Sequence, residues 1–358
     1  MAAASTDSRR TVRQKLLTYL RIGETSTATS IGGDAEEVND TSRIEDEDYW
    51  IGGQIHITSG SLEGSTSFVR HNHPTNGEMH VYPAFGGTPA SGITYEIYRP
   101  STWNKAELDE AITAAVDWAR ERFLIPHSVD SIDLAAATYE YDLPFLEIVA
   151  ATATSGSTTT TLDTSGDLTQ ADDHWNGSHI IITADTGVAG NVGEVRIIKD
   201  FDASTDTLTL DHALPGVASS GTTYRLIKYP FSYIHTVEYQ DTTNQWVPLN
   251  AFNNEDAWLV VPGLYPRLRI ASGLGISGQP LMIYGYRYAG KISVERDLVE
   301  VPFSVIAPYV EYYLRTMRAR VGDRSDPLED RRRAREALEE AEIRLEQQMV
   351  LPSGAIAQ

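Results

Sequence analysis

The chain contains 358 residues, of which 50 are acidic and 29 are basic, so its formal net charge is −21. Because proteins that hold nucleic acid tightly neutralise phosphates with Lys and Arg, this balance argues against a sequence-specific DNA-binding protein or a DNA-packaging scaffold. The chain has no cysteine, which excludes disulfides, Cys-ligated zinc and thiol catalysis. The polar N-terminus and the short apolar runs predict neither a signal peptide nor a membrane span. We therefore expect a soluble protein made in a cytoplasm, with two or three domains.

The N-terminal segment, residues 1–44, is predicted to form one helix followed by a connector. Apolar residues in Arg9–Leu20 recur at helical spacing. Residues from Gly23 to about Asp40 are rich in Thr, Ser and Gly, a composition typical of irregular structure.

One short segment of the sequence occurs twice in similar form. DEDYWIGGQIHIT (Asp46–Thr58) returns as DDHWNGSHIIIT (Asp172–Thr183), with Asp, Trp, Gly and Ile residues in the same order. Each copy continues through glycine-rich loops and alternating strands to a closing T-Y strand, which predicts four or five short antiparallel strands. We interpret the copies, residues 45–100 and 147–230, as a duplicated β-domain. Its predicted structural anchors are Trp50, Tyr95, Trp175 and Tyr224.

Residues 101–146, between the two copies, are predicted to contain a helix near 105–123 and a short strand. The apolar residues of the helix recur at 3.6-residue spacing. Ser101 or Thr102 is expected to cap its start, and Pro126 to end the helical region.

The remainder is predicted to form strands and then helices. Residues 231–290 contain five alternating segments, a pattern typical of a β-meander. Residues 291–358 contain helices near 302–320 and 327–349 and then a loose tail, with Pro327 marking the start of the last helix. Charged i,i+4 pairs cover one face of that helix. Its narrow apolar stripe consists of Ala334, Leu338, Ala341, Leu345 and Met349.

Together these elements predict an α+β fold. It has a helical core (helices near 9–20, 105–123, 302–320 and 327–349), two related inserted antiparallel β-domains and a β-meander.

No recognisable catalytic or metal-binding motif is present. RHNHPTNGEMH holds His71, His73, Glu78 and His80 close together, but its Pro and Gly predict a loop, where solvent-facing histidines commonly bind nothing. The acidic residues before the two repeated tryptophans suit calcium, yet no EF-hand sequence is present and turn formation is the simpler interpretation. The chain has no P-loop and no G-x-S-x-G sequence. We predict no catalytic residue, no metal site and no cofactor.

The aromatic residues admit two interpretations. Trp50 with Tyr95, and Trp175 with Tyr224, can either stack on sugars or bases or anchor small β-cores, and we favour the anchors. In IYGYRYAG, three alternating tyrosines predict either an oligomer contact or a sheet packed on the C-terminal helices.

The order of these parts resembles the head-to-tail connector (adaptor or neck) proteins of tailed bacteriophages. The matching pieces are the helix WNKAELDEAI, the strand YEYDLP, the strands ending GYRYAG, and VPFSVIAPYVEYYL followed by an Arg/Glu-rich last helix. The resemblance covers Trp103–Met349. It concerns the order and general character of the elements and includes no diagnostic motif. The core of that family is usually compact, and two β-insertions of this size depart from it.

The resemblance implies a structural, non-enzymatic virion protein of the neck, present in the host cytoplasm during assembly. Identical subunits would form a closed ring of about twelve copies. The ring would dock on the portal protein, contact a tail, tail-terminator or stopper protein, and let DNA pass through its bore without a membrane partner. From the last helix we predict the surface for the portal or a neighbouring subunit: Arg331, Arg332, Arg335, Leu338, Leu345 and Met349.

Two other hypotheses remain open at this point. The chain can be a virion surface decoration or glycan-binding module built on the duplicated β-domains, for which Trp50 and Trp175 must be accessible. It can also be a virion or wall hydrolase that uses the histidine segment as its metal site.

Overall fold

The computed structural model describes residues 7–100, 102–120, 122–154, 157–164, 166–241, 243–249, 258–263, 266–270, 278–292, 295, 297–321 and 327–348. This part of the chain is mixed α and β with antiparallel sheets, as the sequence predicts in outline.

Its helices start within a residue of their predicted positions. They are α1 (Arg9–Leu20), α2 (Lys105–Arg120), α3 (Phe303–Val321) and α4 (Pro327–Gln348). The strands are β1 (Gly23–Thr27), β2 (Glu37–Asn39), β3 (Gln54–Ile57), β4 (Thr66–His73), β5 (Glu78–Tyr82), β6 (Thr94–Tyr98), β7 (Leu124–Asp133), β8 (Glu140–Asp142), β9 (Glu147–Thr152), β10 (Thr161–Asp163), β11 (His179–Ala184), β12 (Val195–Asp202), β13 (Thr207–Leu210), β14 (Thr223–Lys228), β15 (Tyr233–Gln240), β16 (Trp246–Pro248), β17 (Trp258–Val261), β18 (Arg267–Ile270) and β19 (Pro280–Tyr288).

The chain forms two compact units. Unit 1 comprises Met1–Arg120 and Gly290–Val350, and so contains all four helices together with β1–β6, where these residues are described. Unit 2 includes Glu121–Ala289 and contains β7–β19.

One six-stranded antiparallel sheet occurs in each unit, and the two have the same connectivity. In unit 1 the order is β1-β6-β3-β4-β5-β2, and in unit 2 it is β9-β14-β11-β12-β13-β10. When the strands of each sheet are numbered one to six in chain order, both sheets have the spatial order 1-6-3-4-5-2. The registers also correspond, because Ile57 pairs with Tyr95 in unit 1 and Ile182 pairs with Tyr224 in unit 2.

The prediction of a connector between Gly23 and Asp40 is wrong. This segment contains β1, an edge strand beside β6, and β2, which pairs with β5. Each sheet consequently has six strands and not four or five. The short polar strands escaped notice because Gly23–Thr27 has no apolar alternation.

The repeated segment forms the same turn in both sheets. Asp48 and Asp173 adopt φ of 62° and 60°, and Gly52 and Gly177 adopt φ of 80° and 74°. Asp and Gly are among the residues that tolerate this left-handed backbone. The backbone N–H of each glycine then donates to the next strand, at Val69 in unit 1 and at the equivalent position in unit 2.

The rest of unit 2 forms two smaller sheets, so the predicted single meander is wrong. Their orders are β16-β15-β19-β7 and β17-β18-β8. Buried residues of both sheets share one core, including Val237, Leu268 and Ile283. Strand β7 begins directly after the predicted helix and contains Pro126, which was expected to end the helical region. The sequence analysis did not predict this strand. Because β7 is an edge strand, it tolerates the missing N–H of this proline.

The start of α2 is capped by a residue other than those predicted. Asn104 Oδ1 accepts from the N–H of Glu107 at 3.0 Å, and Glu107 Oε2 accepts from the N–H of Asn104 at 2.8 Å. This reciprocal capping box replaces the expected Ser101 or Thr102 cap. The helix ends at Arg120, three residues before the predicted end.

Candidate functional site

The C-terminal helices α3 and α4 pack against each other in unit 1. The buried residues of α4 are small along most of its length, which lets the two helices approach closely. They are Ala334, Ala337, Ala341 and Leu345. The apolar stripe predicted from the sequence is therefore largely covered by the chain's own α3.

A groove of about 380 Å³ lies between the C-terminal half of α3 and the N-terminal half of α4. Leu338 and Ala334 form its apolar part, and Arg315, Arg331 and Arg335 its charged part. Arg315 is engaged with Glu311 at 2.7 Å and Asp330 at 3.3 Å.

Two of the arginines that line the groove have no acidic partner among the residues that the structure describes. Arg331 and Arg335 are exposed, and neither forms an ion pair with any residue that the structure describes. Guanidinium groups beside an apolar floor suit a partner segment that carries carboxylates and at least one apolar side chain.

The structure brings together only part of the predicted partner surface. Arg331, Arg335 and Leu338 share the groove. Arg332 lies on α4 outside it and pairs with Glu336 at 3.8 Å. Leu345 is 2% exposed within its own unit, so its assignment to a partner surface is wrong. Met349 lies outside the described residues.

Helix α3 also contacts α2 through aromatic side chains. The rings of Trp118 and Tyr309 stack at a centroid distance of 4.4 Å. The hydroxyl of Tyr313 donates to Glu110 at 2.9 Å. These contacts hold the groove-bearing helices on the N-terminal half of unit 1.

A buried charge cluster joins α1 to the rest of unit 1, and the sequence analysis missed it. The guanidinium of Arg13, fully buried, donates to Glu96 on β6 at 2.8 and 3.1 Å, to Asp109 on α2 at 2.8 Å, and to Glu295 at 2.9 Å. Lys105 adds contacts to Asp109 at 2.7 Å and Glu295 at 2.5 Å. The available signal was an arginine at helical spacing from the apolar Leu16 and Leu17.

The charges of this cluster stabilise one another. Burial opposes the charge of Arg13, but hydrogen bonds to Glu96 and Glu295 raise the pKa of its guanidinium above the ordinary value. Burial alone raises the pKa of Glu295, but Arg13 and Lys105 lower it far below the usual range. Because the five charged side chains of the cluster are engaged with one another, the cluster is a structural clamp.

The predicted structural anchors are buried. Trp50 is 1% exposed and Trp175 is fully buried, each within the core of its own six-stranded sheet. The hydroxyl of buried Tyr95 donates to Asp40 at 2.5 Å, and burial raises the pKa of Tyr95. Tyr224 is buried at the corresponding place in unit 2. Burial of both tryptophans removes the aromatic platform that the glycan-binding hypothesis requires.

The tyrosines of β19 are only partly exposed. Tyr284 and Tyr288 face solvent, whereas Tyr286 is buried and its ring lies 6.3 Å from that of Tyr233. The expected continuous tyrosine face is therefore interrupted at its centre.

The histidine segment does not form the predicted loop. His71 and His73 lie on β4, and Glu78 and His80 lie on the paired strand β5. The side chains are neither deeply buried nor fully exposed. These groups, expected on one solvent-facing loop, are therefore neighbours across a strand pair.

The acidic residues before the repeated tryptophans act as turn residues. Asp172 accepts a hydrogen bond from the N–H of Ala203 at 3.0 Å. Burial, reinforced by the nearby carboxylates of Asp172 and Asp200, raises the pKa of Asp173 to about 6. Asp172 and Asp173 belong to no possible metal-binding group among the residues that the structure describes, whereas Glu47, before Trp50, lies near His71 and His73.

No protein-family model matches the chain, and no curated protein matches it in sequence. Across the described residues, none of the helices is both long and apolar enough to cross a membrane.

Proposed function

We propose that the chain is a structural virion protein of the head-to-tail neck, which forms a ring between portal and tail. The observation that carries the proposal is the arginine-lined groove between α3 and α4. It lies on a helical unit assembled from both ends of the chain. In this proposal DNA passes through the bore of the ring without specific contact, in keeping with the net charge of −21.

The layout of the elements supports a helical core with inserted β-modules. Helices α1 and α2 contact each other and α3, and α3 packs on α4. The six-stranded sheet of unit 1 is formed by residues between α1 and α2, and strands β7–β19 of unit 2 are formed by residues between α2 and α3. A ring-forming helical core is the arrangement that the resemblance to connector proteins implies, and the two large β-domains are additions to that core.

We further propose that the two six-stranded sheets arose by duplication. Identical strand order, the shared positive-φ turn and the same Ile–Tyr pairing support a common origin. Unrelated sheets of six strands have many other possible orders, so the agreement is informative. In the proposed assembly the two domains enlarge the outer surface of the ring.

The groove is proposed to receive a carboxylate-bearing segment of a neighbouring subunit or of the portal. Arg331 and Arg335 supply two charges without partners among the described residues, and Leu338 supplies apolar contact. A second copy of this chain is a suitable partner for the groove, because the chain is rich in Asp and Glu.

Electron microscopy of the purified protein, alone and mixed with portal complexes of the virus that encodes it, tests the proposal. We expect closed rings, or an added ring of density on the face of the portal that receives the tail. The variant R331E/R335E should lose this assembly while its circular dichroism spectrum is retained. R344E is the matched control, because Arg344 is an exposed α4 residue outside the groove that pairs with Glu340 at 3.5 Å.

Three results would overturn the proposal. The first is wild-type protein that neither forms rings nor binds the portal. The second is binding distributed over the whole capsid, which would favour the surface-decoration hypothesis. The third is equal assembly by R331E/R335E and wild type, which would reject the groove as the contact.

A further inference from the structure

A cluster of imidazoles lies on the outer face of the hairpin formed by β4 and β5. His71 pairs directly with His80, and His73 pairs directly with Glu78. A bulge between Val69 and His71 shifts the alternation of β4, so both histidines point to the same side of the sheet as their partners. Side chains directly opposite each other on one face are within contact distance.

The distances between these groups suit a shared ion. Ligand atoms of His73, Glu78 and His80 all lie within 4.8 Å of one another, and so do those of Glu47, His71 and His73. The ring centroids are 4.0 Å apart for His71–His73, 5.8 Å for His73–His80 and 6.3 Å for His71–His80. Rings that bind one zinc through nitrogens at about 2.0–2.1 Å have centroids on the order of 5–6 Å apart. His71 and His80 belong to different groups that share His73, so a single ion bound by all three imidazoles requires rotation of their side chains.

A carboxylate already orients one of the imidazoles. Asp48 Oδ1 contacts Nδ1 of His71, and the other ring nitrogen, Nε2, lies 3.9 Å from Glu47 Oε1. A metal-binding histidine typically donates its second N–H to a carboxylate, which fixes the tautomer and makes the free nitrogen a better ligand. Asp48 is thus placed as the supporting group, with Nε2 of His71 turned toward the proposed ion.

The fold itself does not require histidines at these positions. In the equivalent strand pair of unit 2, Asp200 pairs with Thr209 and Asp202 with Thr207, in the same register after the same kind of bulge. A six-stranded sheet of identical order therefore forms with Asp and Thr at these four positions. The imidazoles of unit 1 are additional to what the architecture needs.

We propose that His71, His73 and His80 bind one divalent transition-metal ion of the zinc type, with the carboxylate of Glu78 or Glu47 as a further ligand. Imidazole nitrogens with a carboxylate oxygen are the donor set that Zn²⁺, Ni²⁺ and Cu²⁺ favour over Mg²⁺ and Ca²⁺. The ion would bridge β4 and β5 at the solvent-facing side of the hairpin. The site does not depend on the proposed role in the neck.

Isothermal titration of tag-free, chelator-treated full-length protein with Zn²⁺ tests this site. We expect one equivalent to bind, and the H73A variant to lose at least about 100-fold in affinity, because His73 belongs to both groups of ligands. H212A is the matched control, since His212 is 83% exposed on a turn and outside the cluster. It should bind as the wild type does. H80Q provides a second variant if H73A perturbs folding, and it should weaken binding as well.

Visible spectroscopy with Co²⁺ in place of Zn²⁺ identifies the ligands. Intense d–d absorption bands that appear in wild type and H212A, and vanish in H73A, support low-coordinate binding by imidazoles. Two findings would overturn the proposal: no stoichiometric Zn²⁺ binding by the wild type, or unchanged binding and spectra in folded H73A and H80Q.

Discussion

Replacing Arg13 by Met removes the one cation that all three carboxylates of the buried cluster share. Asp109 retains Lys105 at 2.7 Å, and Glu295 retains Lys105 at 2.5 Å. Glu96 is different: its side chain is fully buried, and besides Arg13 it accepts a hydrogen bond from the hydroxyl of Tyr98 at 2.7 Å. The substitution therefore leaves the buried carboxylate of Glu96 without a paired cation among the residues that the structure describes.

The expected loss follows from that single uncompensated charge. Removing one partner of a buried ion pair costs about 3–5 kcal/mol of folding free energy. The double variant R13M/E96Q removes the stranded charge as well and should recover most of this loss. The matched control R10M is on the same helix, but Arg10 is partly exposed in its pairs with Glu63 and Glu295, so it should cost about 1 kcal/mol or less.

Urea unfolding followed by far-UV circular dichroism measures this loss. The four described helices all belong to unit 1, so the helical signal reports the unfolding of that unit. A loss below about 1 kcal/mol for R13M would refute the assignment of the cluster as a clamp. Failure of E96Q to restore stability in the R13M background would show that the stranded Glu96 is not the cause.

Two further predictions concern burial and backbone geometry. Burial lowers the pKa of His56 to about 4 from 6.5. The unfolded state therefore binds the proton first as pH falls from 6.5 to 4, and unit 1 loses stability over that window by up to about 1.4 kcal/mol per pH unit. H56Q should flatten this part of a pH series of urea unfolding curves, and parallel curves for wild type and variant would contradict the assignment. A Cβ on Gly177 would lie 2.5 Å from the carbonyl oxygen of Ser128 at a φ of +74°, so G177A should destabilise unit 2 by more than about 2 kcal/mol. At Gly221 the φ is +88° but nothing lies within 4 Å, so G221A should cost only about 1 kcal/mol in thermal unfolding, and equal losses for the two would reject the steric argument.

The sequence predicts the elements with strong periodicity and misses those that depend on distant partners. Helices α1 and α4 begin at the predicted residues because their apolar spacing and caps are local signals. Strands β1 and β7 were missed, since one is polar and the other carries Pro126. Each is stabilised by pairing with a strand remote in the sequence, β6 and β19 respectively.

The candidate site was predicted in the same uneven way. Arg331 and Arg335 are recognisable as an exposed charged face from the helical pattern alone. Leu345 was misassigned because an apolar stripe does not reveal whether its partner helix belongs to the same chain. The histidines of the imidazole cluster were recognised as close together in the sequence. Their spatial arrangement depends on the bulge in β4, and no local sequence rule predicts the position of that bulge.

The separation of 282 positions between Arg13 and Glu295 has a consequence for the synthesis of the chain. Helix α1 leaves the ribosome early, yet Glu295, which pairs with Arg13, and helix α3, which contacts α1, are made near the end. The segment Glu121–Ala289 is continuous in sequence and is complete before that point, so we expect unit 2 to fold first during translation. Only full-length chains can then close unit 1. Truncated products would leave α1 without Glu295 and α3 and the groove unbuilt, so the fold would exclude incomplete subunits from the assembly proposed above.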